Sequence, residues 1–211
     1  MKLILVRHGE TEWVRMGRYQ GSTDIPLNRR GFQQARAAAH AVKKERVIAV
    51  YSSELMRARE TAKLIANSCQ KRIIIDERLN EVSFGKWEGE LHEEISSRFP
   101  KEAARWYSGR WSSRPPAGES LGSLDQRVSS FLGELLKKHS DKAGSCVVVT
   151  HGGPIRMFLV RLLEVSPKIF WSIRIDPASL SVFRIDRNWR ELVLLNSLAH
   201  LNGLSTRRKN K

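Results

Sequence analysis

Three short, unbroken apolar runs constrain this chain most. They are Lys2 to Val6, Val47 to Tyr51 and Ser145 to Thr150. A strand wetted on one face alternates apolar and polar residues. These runs do not alternate, so each reads as a strand covered on both faces. Between them lie stretches of helical period. Phe32, Ala35, Ala39 and Val42 define one helix, and Leu55, Ala58, Ala62 and Ile65 a second. Leu121, Leu124, Val128, Phe131, Leu132 and Leu135 define a third. Ile73 to Ile75 reads as a short strand, and Gly152-Gly153-Pro154 opens a helix over Ile155 to Leu163. Strands that alternate with helices predict an α/β fold around a mostly parallel sheet.

The rest fits around that frame. Arg7 to about Asn28 reads as a long polar loop, and Ser53 as the N-cap of the helix that carries Arg57. The segment from about 77 to 118 is irregular and lid-like, with modest helical pieces over Leu91 to Phe99 and Lys101 to Tyr107. Its interleaved Arg98, Arg105, Trp106, Arg110 and Trp111 read as packing tryptophans with snorkelling arginines that lend the lid positive charge. Ser179 to Ile185 and Glu191 to Leu195 alternate and predict a terminal hairpin turning at Asn188. Residues 206–211 read as a solvated basic tail.

Two strand ends share one grammar. Val6 runs into Arg7-His8-Gly9, and Thr150 into His151-Gly152-Gly153. In open α/β sheets, ligands bind beyond the carboxyl ends of the strands. The following glycines let the backbone approach a ligand closely. The chain carries a formal net charge of +15, which favours anionic partners. Guanidinium groups bind phosphate bidentately, which brings in Arg7 and Arg57. Taken alone, Arg57 reads as a surface arginine; its case rests on the set. Free N–H groups at Gly152 and Gly153, at a helix start, add donors for the same anion. These groups make a phosphoryl pocket without a metal, and no zinc-ligand spacing is present. Cys69 and Cys146 have neither metal nor disulfide spacing and fit a reducing, cytoplasmic setting. No secretory leader is read at the N-terminus, and no apolar run approaches a bilayer span.

The ordered motifs identify the chain as resembling the histidine phosphatase superfamily, the phosphoglycerate mutase-like family. They are Arg7-His8-Gly9-Glu10-Thr11, Gln20-Gly21, Ser52-Ser53, Arg57-Ala58, Glu81, Phe84-Gly85-Lys86-Trp87-Glu88-Gly89, Gly118-Glu119-Ser120 and His151-Gly152-Gly153-Ile155-Arg156. The stretch around Trp87 resembles the branch of alpha-ribazole and broad-specificity phosphatases. The resemblance implies a three-layer α/β/α domain over residues 1–205. It implies a metal-independent phosphomonoesterase that works through a phosphohistidine on a small phosphorylated metabolite, with alpha-ribazole phosphate among the candidates. His8 would be the nucleophile, its tautomer set by the Gly9 carbonyl. Glu81 would be the proton donor. Arg7, Arg57 and His151 would hold the phosphoryl oxygens, with Gly152, Gln20 and Gly21 adding contacts. No cofactor, metal or membrane is implied. Two alternatives stand beside this reading: a cofactor-dependent phosphoglycerate mutase, and a basic phosphate- or nucleic-acid-binding module without activity. Nucleic acid is the less favoured partner despite the charge. Val14 departs from the family pattern. Asparagine usually stands there and helps hold the phosphoryl group; one phosphate contact is then missing here, or is replaced by Arg15, Arg18 or water.

Overall fold

The computed structural model describes residues 1–186 and 189–204. The Asn188 turn and the 206–211 tail therefore lie outside the described residues. Among the described residues, six strands form one sheet in the order β3-β2-β4-β1-β5-β6. They are β1 (Lys2–Arg7), β2 (Val47–Ser52), β3 (Ile73–Ile75), β4 (Ser145–Thr150), β5 (Leu180–Ile185) and β6 (Arg190–Ser197). β1 to β4 run parallel; β5 pairs antiparallel with β1, and β6 with β5. The α-helices are α1 (Glu12–Met16), α2 (Arg29–Val42), α3 (Met56–Ser68), α4 (His92–Arg98), α5 (Pro100–Tyr107), α6 (Leu121–His139) and α7 (Gly152–Leu162).

The apolar runs behave as two-sided strands. Ile4, Val6, Val50, Val147 and Val149 point to one face, where Ala39 and Val42 of α2 and Ala58, Ala62 and Ile65 of α3 cover them. Leu3, Leu5, Tyr51, Cys146 and Val148 point to the other, beneath Leu124, Val128 and Phe131 of α6 and Ile155 and Phe158 of α7. These are the three layers. Trp87, Ile95 and Trp106 of the 77–118 segment are buried in the second core, so the segment is packed as well as overlying. Its Lys101 and Arg105 stay exposed.

Three sequence expectations need correcting. The loop after β1 contains α1. Thr11 starts that helix by accepting the Val14 N–H, and Gly17 stops it at φ 78°; α1 buries no residue, so it left no apolar period to read. Phe32 is exposed rather than core. The inward face of α2 uses Gln34 in its company, because Gln34 Oε1 accepts the Glu10 N–H at 2.8 Å. Ser53 does not cap α3. The helix begins later, and Asp24, from a remote loop, accepts the Met56 N–H at 2.7 Å.

Candidate active site

β1 and β4 are neighbours in register, with Arg7 opposite Thr150, so the residues that follow them, His8 and His151, emerge side by side. Both are buried. Their ring centroids lie 5.0 Å apart, tilted 58°. Gly9 is needed here for a different neighbour than expected. A Cβ on it would stand 2.4 Å from the Gly31 carbonyl oxygen, so the loop after β1 rests directly on the first turn of α2.

Each imidazole has a defined tautomer. His8 Nδ1 lies 2.7 Å from the Gly9 carbonyl oxygen, which can only accept. Nδ1 therefore carries the proton, and Nε2 keeps its lone pair. Burial holds His8 well below the ordinary histidine pKa, and the charges of Arg57 and Arg7 push the same way. His151 is the mirror case. Its Nδ1 accepts from Arg57 Nε at 3.2 Å, so Nε2 carries the proton and donates to Ser53 Oγ at 2.8 Å. Ser53 passes the chain on to Asn80 Oδ1 at 2.8 Å. Burial, then Arg57, hold His151 neutral as well.

Arg57, in the first turn of α3, is fully buried. Besides His151 it donates to the carbonyls of Thr23 (2.8 Å) and Gly21 (2.7 Å). Burial lowers it to about 10, so it stays charged at neutral pH. Gly21 sits at φ 54°, and a Cβ there would meet Glu88 Oε1 at 2.1 Å. Glu88 gathers the Gly21–Thr23 turn by accepting the N–H groups of Ser22 (2.9 Å), Thr23 (2.9 Å) and Phe84 (3.0 Å). Burial alone would raise the Glu88 carboxyl, but the bonds from Thr23 and Ser22 outweigh it and hold the group ionised. Gln20 is buried, with its Oε1 accepting from the Thr11 hydroxyl.

Arg7 donates Nη1 to the Ile175 carbonyl at 2.7 Å, and its Nε is enclosed without a partner among the described residues. Glu81 accepts the N–H groups of Val82 and Gly153 on Oε1, both at 3.0 Å. The Gly153 donor is thus taken by Glu81, a correction to the expectation of a free N–H there. Gly152 opens α7 beside Arg156, whose Nη1 would lie 3.1 Å from a Cβ at that position. Arg156 donates Nε to the Ile173 carbonyl at 2.7 Å, and its guanidinium lies over the rings of Phe170 and Trp171. Burial brings it to about 10. Arg15 and Arg18 are engaged away from these groups: Arg15 with Glu12, Arg18 with the Gly89 carbonyl.

The sequence model of the histidine phosphatase superfamily (branch 1) matches residues 3–198. The chain belongs to the histidine phosphatase superfamily. Phosphoserine phosphatase 1 of Hydrogenobacter thermophilus is 38% identical over 201 residues, spanning 95% of this chain and 94% of that one. The adenosylcobalamin/alpha-ribazole phosphatase of Escherichia coli is 31% identical over 202 residues, spanning 94% and 97%. Among solved structures, a mutant phosphoserine phosphatase of Entamoeba histolytica, in complex with phosphoserine, superposes with a TM-score of 0.84. It is 33% identical and covers 95% of this chain and 98% of that chain. The chain is a phosphatase of this superfamily, with a mixed α/β fold and a mostly parallel six-stranded sheet. No helix among the described residues is long and apolar enough to cross a membrane.

Sequence reasoning missed several residues of the site. Asn80 acts through bonds across loops, and Arg127 clamps the carbonyls of Arg78 (2.8 Å) and Asn80 (2.6 Å) while paired with Glu119. Such contacts leave no period in a sequence.

Proposed function

We propose that the chain is a metal-independent phosphomonoesterase that transfers the phosphoryl group through phospho-His8. One observation carries this reading: the Gly9 carbonyl accepts a hydrogen bond from the His8 Nδ1–H, which leaves a neutral His8 with its Nε2 lone pair free. A bond forms from Nε2 to phosphorus as the ester P–O bond breaks. Glu81, held on Oε1 by two backbone donors, gives its proton to the leaving oxygen from Oε2. Water then attacks the phosphohistidine and returns a proton to Glu81, releasing phosphate and neutral His8. Arg7 and Arg57 supply fixed positive charge for the phosphoryl oxygens, the main source of stabilisation in phosphoryl transfer. His151 would join by turning its Nε2–H from Ser53 to an oxygen. Gly152, Gln20 and Gly21 complete the expected phosphate-binding set. The substrate is the partner; nucleic acid and membrane have no part in this reading.

Phosphoserine is the substrate to try first. It joins a phosphate to a carboxylate, and Arg156 stands beside Arg7 as a second half-buried cation. Relatives named for phosphoserine support the same choice. The test is phosphate release from phosphoserine, 3-phosphoglycerate, alpha-ribazole phosphate and p-nitrophenyl phosphate. Phosphoserine should give the highest kcat/KM, and Arg156→Met should reduce that value more than the value for p-nitrophenyl phosphate. A higher kcat/KM for alpha-ribazole phosphate would overturn the substrate choice. Hydrolysis by His8→Ala at the parent rate would overturn the mechanism.

A further inference from the structure

The segment Ile173 to Ser179, between α7 and β5, touches the site at four places. The Ile175 carbonyl accepts from the Arg7 guanidinium, and the Ile173 carbonyl from Arg156, both at 2.7 Å. The Ala178 N–H donates to the His8 carbonyl at 2.9 Å, and the Ser179 carbonyl accepts the Arg7 N–H at 3.2 Å. Ala178 holds φ 57°, an uncommon value for a residue with a Cβ. Such a segment needs something to fix it.

That fixture comes from the other end of the sheet. Asn196 lies in β6 where the ladder to β5 slips. Leu180 pairs with Ser197 but Val182 with Leu194, so Leu195 and Asn196 together face Ser181. The bulge puts Asn196 at φ 50° and re-aims its side chain. Asn196 Oδ1 accepts the Asp176 N–H at 2.6 Å, and Nδ2 donates to Asp176 Oδ2 at 2.8 Å. Its own N–H is tied to Ser181 Oγ at 3.1 Å. The amide thus grips both the backbone and the carboxylate of Asp176, in the middle of the segment.

We infer that Asn196 is a positioning residue, acting through Asp176 and the 173–179 segment to hold the Arg7 guanidinium where a phosphoryl group binds. This rests on the reading of Arg7 as a phosphate ligand. Strain at a left-handed asparagine is tolerated where the surrounding structure fixes it, and such strain clusters at functional sites. Burial lowers the Arg7 pKa; the charge of Glu81, and after it that of Asp176, acts the other way and favours the charged form.

The test separates position from stability. Asn196→Gly keeps the left-handed backbone and removes both side-chain bonds. It should raise the KM for p-nitrophenyl phosphate and the dissociation constant of inorganic phosphate about tenfold, with kcat within a factor of about three. The exchange Asp176→Asn with Asn196→Asp keeps both bonds and the charge of the pair, and should recover most of that loss. Phosphate binding read by calorimetry needs no turnover, so it judges the brace even if the phosphohistidine mechanism fails. Parent-like phosphate affinity in Asn196→Gly, whatever its melting temperature, overturns the inference. So does an exchange variant that folds but binds phosphate no better than Asn196→Gly.

Discussion

The imidazoles of His8 and His151 lie 5.0 Å apart, yet their protons sit on opposite nitrogens, Nδ1 in His8 and Nε2 in His151. The Gly9 carbonyl dictates the first and the Arg57 guanidinium the second. One ring is left with a free lone pair on Nε2 and the other with an Nε2–H to donate. Two chemically identical side chains are thereby given complementary roles by one neighbour each.

His8→Ala should lower kcat by at least about 10³-fold on any monoester. Parent enzyme quenched during turnover of a radiolabelled phosphate ester should carry acid-labile, alkali-stable label. His8→Ala should carry none.

Stability should fall on the acid side of neutrality. Both histidines have folded-state pKa values well below 6.5, so the unfolded chain binds more protons. Their stabilising contribution is complete above about 6.5 and is lost as pH falls below it toward the folded values. The melting temperature should therefore drop between about pH 7 and pH 5, and less steeply in His8→Asn. Activity should persist below the ordinary histidine range, since His8 stays neutral there; a kcat/KM profile measured against pH checks this.

Arg57→Lys should cost on the order of 3 kcal/mol in the barrier, roughly a hundredfold in kcat/KM. A lysine cannot meet His151, Gly21 and Thr23 in one plane as the guanidinium does. Steady-state kinetics on p-nitrophenyl phosphate reads the loss directly.

Val14→Asn should tighten inhibition by inorganic phosphate about fivefold, the value of roughly one neutral hydrogen bond. Val14 stands where the family pattern has an amide donor, and the neighbouring arginines are committed to Glu12 and Gly89. A competitive inhibition constant for parent and variant decides it.

The frame was legible because burial on both faces removes alternation from a strand, which is how β1, β2 and β4 announced themselves. The strand-end histidines followed from that frame, and the His8–Gly9 bond from chemistry at one residue's distance. What stayed hidden was long-range. Asp24 replaces Ser53 as the α3 cap because Ser53 is drawn toward His151 and Asn80. Glu81 required the family resemblance, since nothing local distinguishes it from Glu77. Asn196 lies beyond the sequence motifs altogether, and only the bulge in β6 turns it toward the site.

The sheet order also has a consequence in time. β1 is the earliest strand made, but both its partners, β4 and β5, come from beyond residue 144. Until then Leu3 to Val6 has no edge to pair with, while β2 and β3 can already meet. Closing so long a loop is slow and leaves an apolar strand unpaired meanwhile. His8 follows that strand and bonds to Thr150 and Ala178, so its surroundings are complete only once the chain beyond residue 144 has joined β1.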